Sequence, residues 1–136
     1  MARKKHQAVL KAKKKEATAK ATIRKGKGIV RINHLNLNIY GPHYVREMIR
    51  EPLALAGDAA NDVDIDVEVQ GEGFMGQAIA IRGSIAKALV DFTGNEKLKK
   101  SMIAYDRLLL VDDPRRVEPK KPLGPKARKK KQHSKR

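Results

Sequence analysis

Gly71, Gly73 and Gly76 in the stretch GEGFMG spell G-x-G-x-x-G. An alternating run, VDIDVEVQ, precedes them and a helical apolar pattern, GQAIAIRGSIAKALVDF, follows. In that setting the chemistry on offer is phosphate binding, because a helix start presents free amides and the positive end of a dipole. A dinucleotide fold places such glycines on the first turn of a repeated strand-helix-strand unit, with an acidic residue about 20 positions on. Here the unit is the last in the chain and Asp91 falls at a helix end, which disfavours a nucleotide. Two readings stand: glycines that permit a tight turn and close packing, or amides from Gly73 to Gln77 open to another phosphate, including one in an RNA backbone.

Asp64, Asp66 and Glu68 alternate along the preceding run and so share one strand face. Two carboxylates about 7 Å apart can share a divalent cation, the core of a metal-dependent nuclease. No histidine stands at ligand spacing beside them, so a solvated or protein-facing surface is the expected role, turned away from nucleic acid. His6, His34, His43 and His133 are scattered, no nucleophile motif occurs, and the absence of cysteine removes thiolate, disulfide and Cys-zinc chemistry. Neither cofactor nor metal is expected.

The elements that must carry these residues read as follows. ATAKATIR (17–24) alternates as a half-buried strand, KGKG turns, and IVRIN returns as a second strand, a hairpin with Gly26 and Gly28 in its turn. Pro42 opens a helix through HYVREMIRE with Tyr44, Val45, Met48 and Ile49 on its apolar face, and Pro52 and Gly57 end it. Val63, Ile65, Val67 and Val69 form the core face of the third strand. A helix to about Phe92, a short basic helix from Asn95 to about Ala104 and a last strand RLLLV (107–111) complete the domain. The order predicts a basic N-terminal extension (1–16), a globular α+β domain (17–111) and an extended tail (112–136).

Charge is concentrated at the ends. The chain of 136 residues holds 31 Lys plus Arg against 15 Asp plus Glu, a net of +16. Residues 1–31 carry a net +11 and residues 119–136 a net +9, whereas residues 32–118 sum to −4. Such an excess points to a polyanion, nucleic acid first. No apolar run approaches the roughly 20 residues of a membrane span, and no secretory h-region follows the charged start. A membrane partner is not expected, since ARKKHQAVLKAKKKEA has only a weak apolar stripe without Trp or Phe. In PKKPLGPKARKKKQHSKR, Pro and Gly space the cations, which favours an extended chain able to follow phosphates.

The strings KKEATAKATIRKGKG, RINHLNL, GQAIAIRGSIAKAL, DPRRVEPKK and the final SKR together resemble the universal small-subunit ribosomal protein nine family, from about Lys14 to Arg136. EPLALAGDA before VDIDVEV looks like the archaeal and eukaryotic branch, with an archaeal source preferred. The resemblance implies a four-stranded sheet covered by helices with a left-handed βαβ crossover, as in the second domain of small-subunit ribosomal protein five. It also implies a cytoplasmic, non-enzymatic protein of the small-subunit head, bound to small-subunit rRNA and neighbouring ribosomal proteins, with no small-molecule substrate. Its tail would reach the tRNA in the peptidyl site.

Residues expected at rRNA are Lys14, Lys15, Lys20, Arg24, Lys25, Lys27 and Arg31 around the hairpin, and Gly73, Gly76, Gln77 and Arg82 around the glycine turn. Along the tail they are Arg115, Arg116, Lys120, Lys121, Lys126, Arg128, Lys129, Lys130 and Lys131. Lys135 and Arg136 are implied to approach the tRNA. His133 stands where many relatives have an aromatic residue, and Met1 to Lys13 lack a clear counterpart. The runner-up functions are the nuclease and a free mRNA-binding regulator.

Overall fold

The computed structural model describes residues 8–71 and 73–134. Its sheet is built from β1 (Val9–Lys14), β2 (Ala17–Lys25), β3 (Val30–Ile32), β4 (Leu35–Asn36) and β5 (Val63–Gln70) in the spatial order β1-β2-β5-β3-β4. Only β3 and β5 run parallel; the other neighbours are antiparallel. Period-two alternation sends Ala17, Ala19, Ala21 and Ile23 of β2 and Val63, Ile65, Val67 and Val69 of β5 into the core.

One side of the sheet is covered by helices. These are α1 (His43–Ala56), the short α2 (Asp58–Asn61), α3 (Phe74–Thr93) and α4 (Glu96–Tyr105). α3 lies on β1, β2 and β5, and α1 packs beside it. α3 buries residues around much of its circumference, including Ala78, Ile81, Ile85 and Leu89, which marks it as the central helix. Small residues meet where it crosses the sheet: a Cβ on Gly83 would stand 3.2 Å from the Cβ of Ala12. Each fully buried Ile or Leu contributes about 1.5–3 kcal/mol, so Ile65, Ile81, Ile85 and Leu89 hold the two layers together. Among the described residues no helix is long and apolar enough to cross a membrane.

Four expectations are corrected. The hairpin does not form: β5 lies between β2 and β3, pairing with both. Residues 26–29 instead arch over the start of β5, with Gly26 N–H donating to the Asp62 carbonyl (2.9 Å) and Gly28 N–H to that of Val63 (3.1 Å). The sheet has five strands rather than four, because residues 9–14 add an edge strand to β2 and Leu35–Asn36 adds a short one to β3. RLLLV is not a strand. Arg107–Leu109 forms a 3-10 turn, since the Asp106 carboxylate accepts from Leu108 N–H (2.9 Å) and offers the backbone a local partner in place of a ladder. Pro52 lies inside α1, buried in the core, and the helix runs on to Gly57, whose φ of 59° ends it. The apolar face of α1 is accordingly Val45, Ile49 and Pro52 with Met48 packed against the core beside them, while Tyr44 is exposed.

Candidate nucleic-acid interface

The structure joins the first described strand to the root of the tail. Lys14 sits on the core-facing side of β1 and its Nζ donates to Asp113, both groups buried. Asp113 also accepts from Arg115, through the backbone N–H (3.0 Å), Nε (2.9 Å) and Nη2 (2.6 Å). The Arg115 fork first, then the Lys14 ammonium, holds the Asp113 carboxyl far below the usual carboxylate range. One residue earlier, Lys87 of α3 donates to Asp112 Oδ1 (2.7 Å) and to the Lys11 carbonyl (3.0 Å). Strand, helix and tail are therefore bolted together at one end of the sheet.

Around this bolt lies a cleft of about 390 Å³ lined by Lys14, Lys15, Arg115, Arg116 and Val117. Lys15 (φ 53°) turns the β1–β2 connection so that its side chain is exposed beside Arg115 and Arg116. Lys14 gives its charge to Asp113, leaving Lys15 and the outer faces of the two arginines for an external anion. The start of α3 is close by: a Cβ on Gly76 would stand 3.7 Å from the Lys14 carbonyl. Among the described residues no side chain caps that helix start.

Of the three glycines, Gly71 answers to packing. A Cβ at Gly71 would sit 2.5 Å from Ala17 Cα at a φ of +119°, so the strand end can pass β2 only as glycine. Gly73 (φ +79°) faces open space. Gln77 is tied back to the strand end at the surface, its Nε2 donating to the Gly71 carbonyl at 2.6 Å.

Other expected contacts disperse. Arg82 is half-buried between Glu51 of α1 and Asp106 (2.9 Å), tying α1, α3 and the end of α4 together. Arg24 reaches Asp64 (3.9 Å) and Asp66 (3.4 Å), and Arg31 reaches Asp66 (3.7 Å). Lys20, Lys25 and Lys27 are exposed. In the tail, residues 122–128 form turns and bends rather than a continuously extended chain, because Glu118 pairs with Lys121 (2.8 Å) and Arg128 (2.9 Å) and draws the segment back. Lys120, Lys126 and Lys129 to Lys131 are exposed along it. Lys135 and Arg136 lie outside the described residues.

Two members of the carboxylate row are engaged, while Glu68 stands exposed across from Lys20. Asp64 Oδ1 accepts from the backbone N–H of Lys27 (2.9 Å) and Ile29 (3.1 Å), which lowers its pKa and pins the arch over β5. Asp66 faces Arg24 and Arg31. Among the described residues no group of three or more His, Asp or Glu is placed to hold a metal. Sequence reading missed Lys87, Asp112 and Asp113; the one available signal was a pair of adjacent acids just before a strongly basic stretch.

The family model for ribosomal protein S9/S16 matches residues 12–136. The small ribosomal subunit protein uS9 of two strains of Methanococcus maripaludis is 42% identical over 125 residues, covering 89% of this chain and 93% of theirs. With a match that runs from β1 through the bolted root to the end of the tail, this chain belongs to the ribosomal protein S9/S16 family, in its archaeal type.

Proposed function

We propose that the protein is a structural constituent of the small ribosomal subunit, bound in its head to small-subunit rRNA and neighbouring proteins in the cytoplasm, with no chemistry of its own. The observation that carries this reading is the bolted root. Lys14, Asp113 and Arg115 fix the start of a cationic arm beside a basic cleft, so the body aims the arm while the arm supplies phosphate contacts. Family membership and the name of the Methanococcus relatives support it. The parallel β3–β5 connection through α1 is read as the left-handed crossover the resemblance implies, against the usual rule. The end of the arm, through Lys135 and Arg136, is read as reaching the peptidyl-site tRNA.

Sedimentation through a high-salt gradient tests the core of the proposal. The protein is expected to travel with small subunits; recovery at the top of the gradient, bound to mRNA or free, overturns it.

A further inference from the structure

The side of the sheet opposite α1 and α3 carries no helix among the described residues, and its strand register places like charges together. Lys11 of β1 pairs directly with Lys20 of β2, Lys13 pairs with Thr18, and Lys20 faces Glu68 on its other side. All three lysines are exposed. Directly opposite residues on one face have Cβ atoms about 4.5–5.5 Å apart, and like charges so placed are destabilising. The carboxylates Asp64 and Asp66 on the same face are engaged by Arg24 and Arg31, one strand further on. Glu68 offsets Lys20 from one side, whereas Lys11 and Lys13 have no carboxylate opposite them on β2, so their charge is left for an anion from outside.

The chemistry of the face narrows what that anion is. Val9, Lys11, Lys13, Thr18, Lys20 and Thr22 make up its β1–β2 half, with no aromatic ring on which an unpaired base could stack. What remains is a flat array of ammonium and hydroxyl groups, suited to phosphate and ribose oxygens. Lys11 and Lys13 stand about 7 Å apart along β1, a step at which two lysines can meet separate phosphates.

We infer that the β1–β2 half of the open sheet face is a second RNA-docking surface, distinct from the cleft at the tail root, on which Lys11, Lys13 and Lys20 grip the phosphate backbone of a double-helical RNA segment. Asp66 and Glu68 of β5 form its boundary, repelling phosphate from the other half of the face. This rests on the proposed rRNA-binding role and adds the surface and the kind of RNA to it.

The full-length protein is titrated with its small-subunit rRNA and with a 20-base-pair RNA duplex over a range of salt concentrations, beside the double variant Lys11→Ala, Lys20→Ala. On a duplex each lost phosphate contact reduces the salt slope by roughly 0.9, so the variant slope is expected to be shallower by about 1.8, with weaker binding to both RNAs. Its thermal midpoint is expected to stay level, because the like-charge Lys11–Lys20 pair and the exposed Lys20–Glu68 pair are removed together. Glu68→Gln is expected to tighten duplex binding. If the parent binds rRNA and the double variant keeps the parent slope and affinity, the surface is wrong and the rRNA role stands. If the parent fails to bind rRNA at all, both fall. In assembled subunits, zero-length cross-links from Lys11 and Lys20 to nucleotides support the surface; cross-links to a protein neighbour in their place overturn it.

Discussion

The side chains of Lys14 and Asp113, 99 residues apart in the chain, meet in the buried corner where β1 ends and the tail begins. Removing one partner leaves the other charge buried with fewer hydrogen bonds, which costs more than the pair contributes. Lys14→Ala is therefore expected to lower the thermal midpoint by more than about 5 °C, against a change near zero for Lys15→Ala at the exposed neighbouring position. Calorimetry on the three proteins checks this, and equal midpoints would show that the corner is not a structural bolt.

Acid should loosen the same corner. The folded-state pKa of Asp113 is depressed, first by Arg115 and then by Lys14, below an unfolded value of about 3.9. The linked stability is complete above that unfolded value and is lost as the pH falls through it toward the folded one. Urea midpoints measured between about pH 6 and pH 2 should fall more steeply for the parent than for Asp113→Asn. The variant should be the less stable of the two near neutrality. Parallel curves would remove Asp113 from the acid response.

The glycines of the turn should respond in a defined order. Gly71→Ala places a Cβ against the backbone of Ala17 and should cost about 2 kcal/mol or more, whereas Gly73→Ala meets only its positive φ and should cost about 1 kcal/mol. Chemical denaturation gives both values. A Gly73→Ala protein that folds normally yet loses rRNA affinity would favour the phosphate reading of the turn over the packing one.

The arm should account for most of the salt dependence. With about six phosphate contacts to single-stranded or looped RNA, the logarithm of affinity should fall with log salt at a slope of roughly −4 to −5. Deleting residues 119–136 should flatten that slope. An unchanged slope would show that the arm does not grip RNA.

Removing only Lys135 and Arg136 should spare subunit assembly and weaken tRNA retention in the peptidyl site, measured by filter binding on purified subunits. Unaltered retention would sever the arm tip from the tRNA.

How far the sequence could be read depended on where each residue's partner lay. β2, β5 and α3 were legible because their periodicity is complete within a single window. β1 was obscured because a lysine holds its last core-facing position, and the acid that makes this tolerable comes from residue 113. The hairpin was inferred from two glycines near one another, whereas the arch is fixed by Asp64 from a strand not yet reached in the chain. The cations suffered the same ambiguity. Lys15, Arg115 and Arg116 were visible as charges, but nothing local told them from Arg24, Arg31 and Arg82, whose carboxylate partners arrive from distant elements.

The insertion of β5 between β2 and β3 also dictates a timetable for the nascent polypeptide. Until Gln70 has been synthesised, the two earlier strands have no common neighbour, and what has emerged cannot close a sheet. The corner at Lys14 waits longer still, for residue 113. The C-terminal arm is thus synthesised only after every element that orients it, so the body can begin to mature before that arm is exposed.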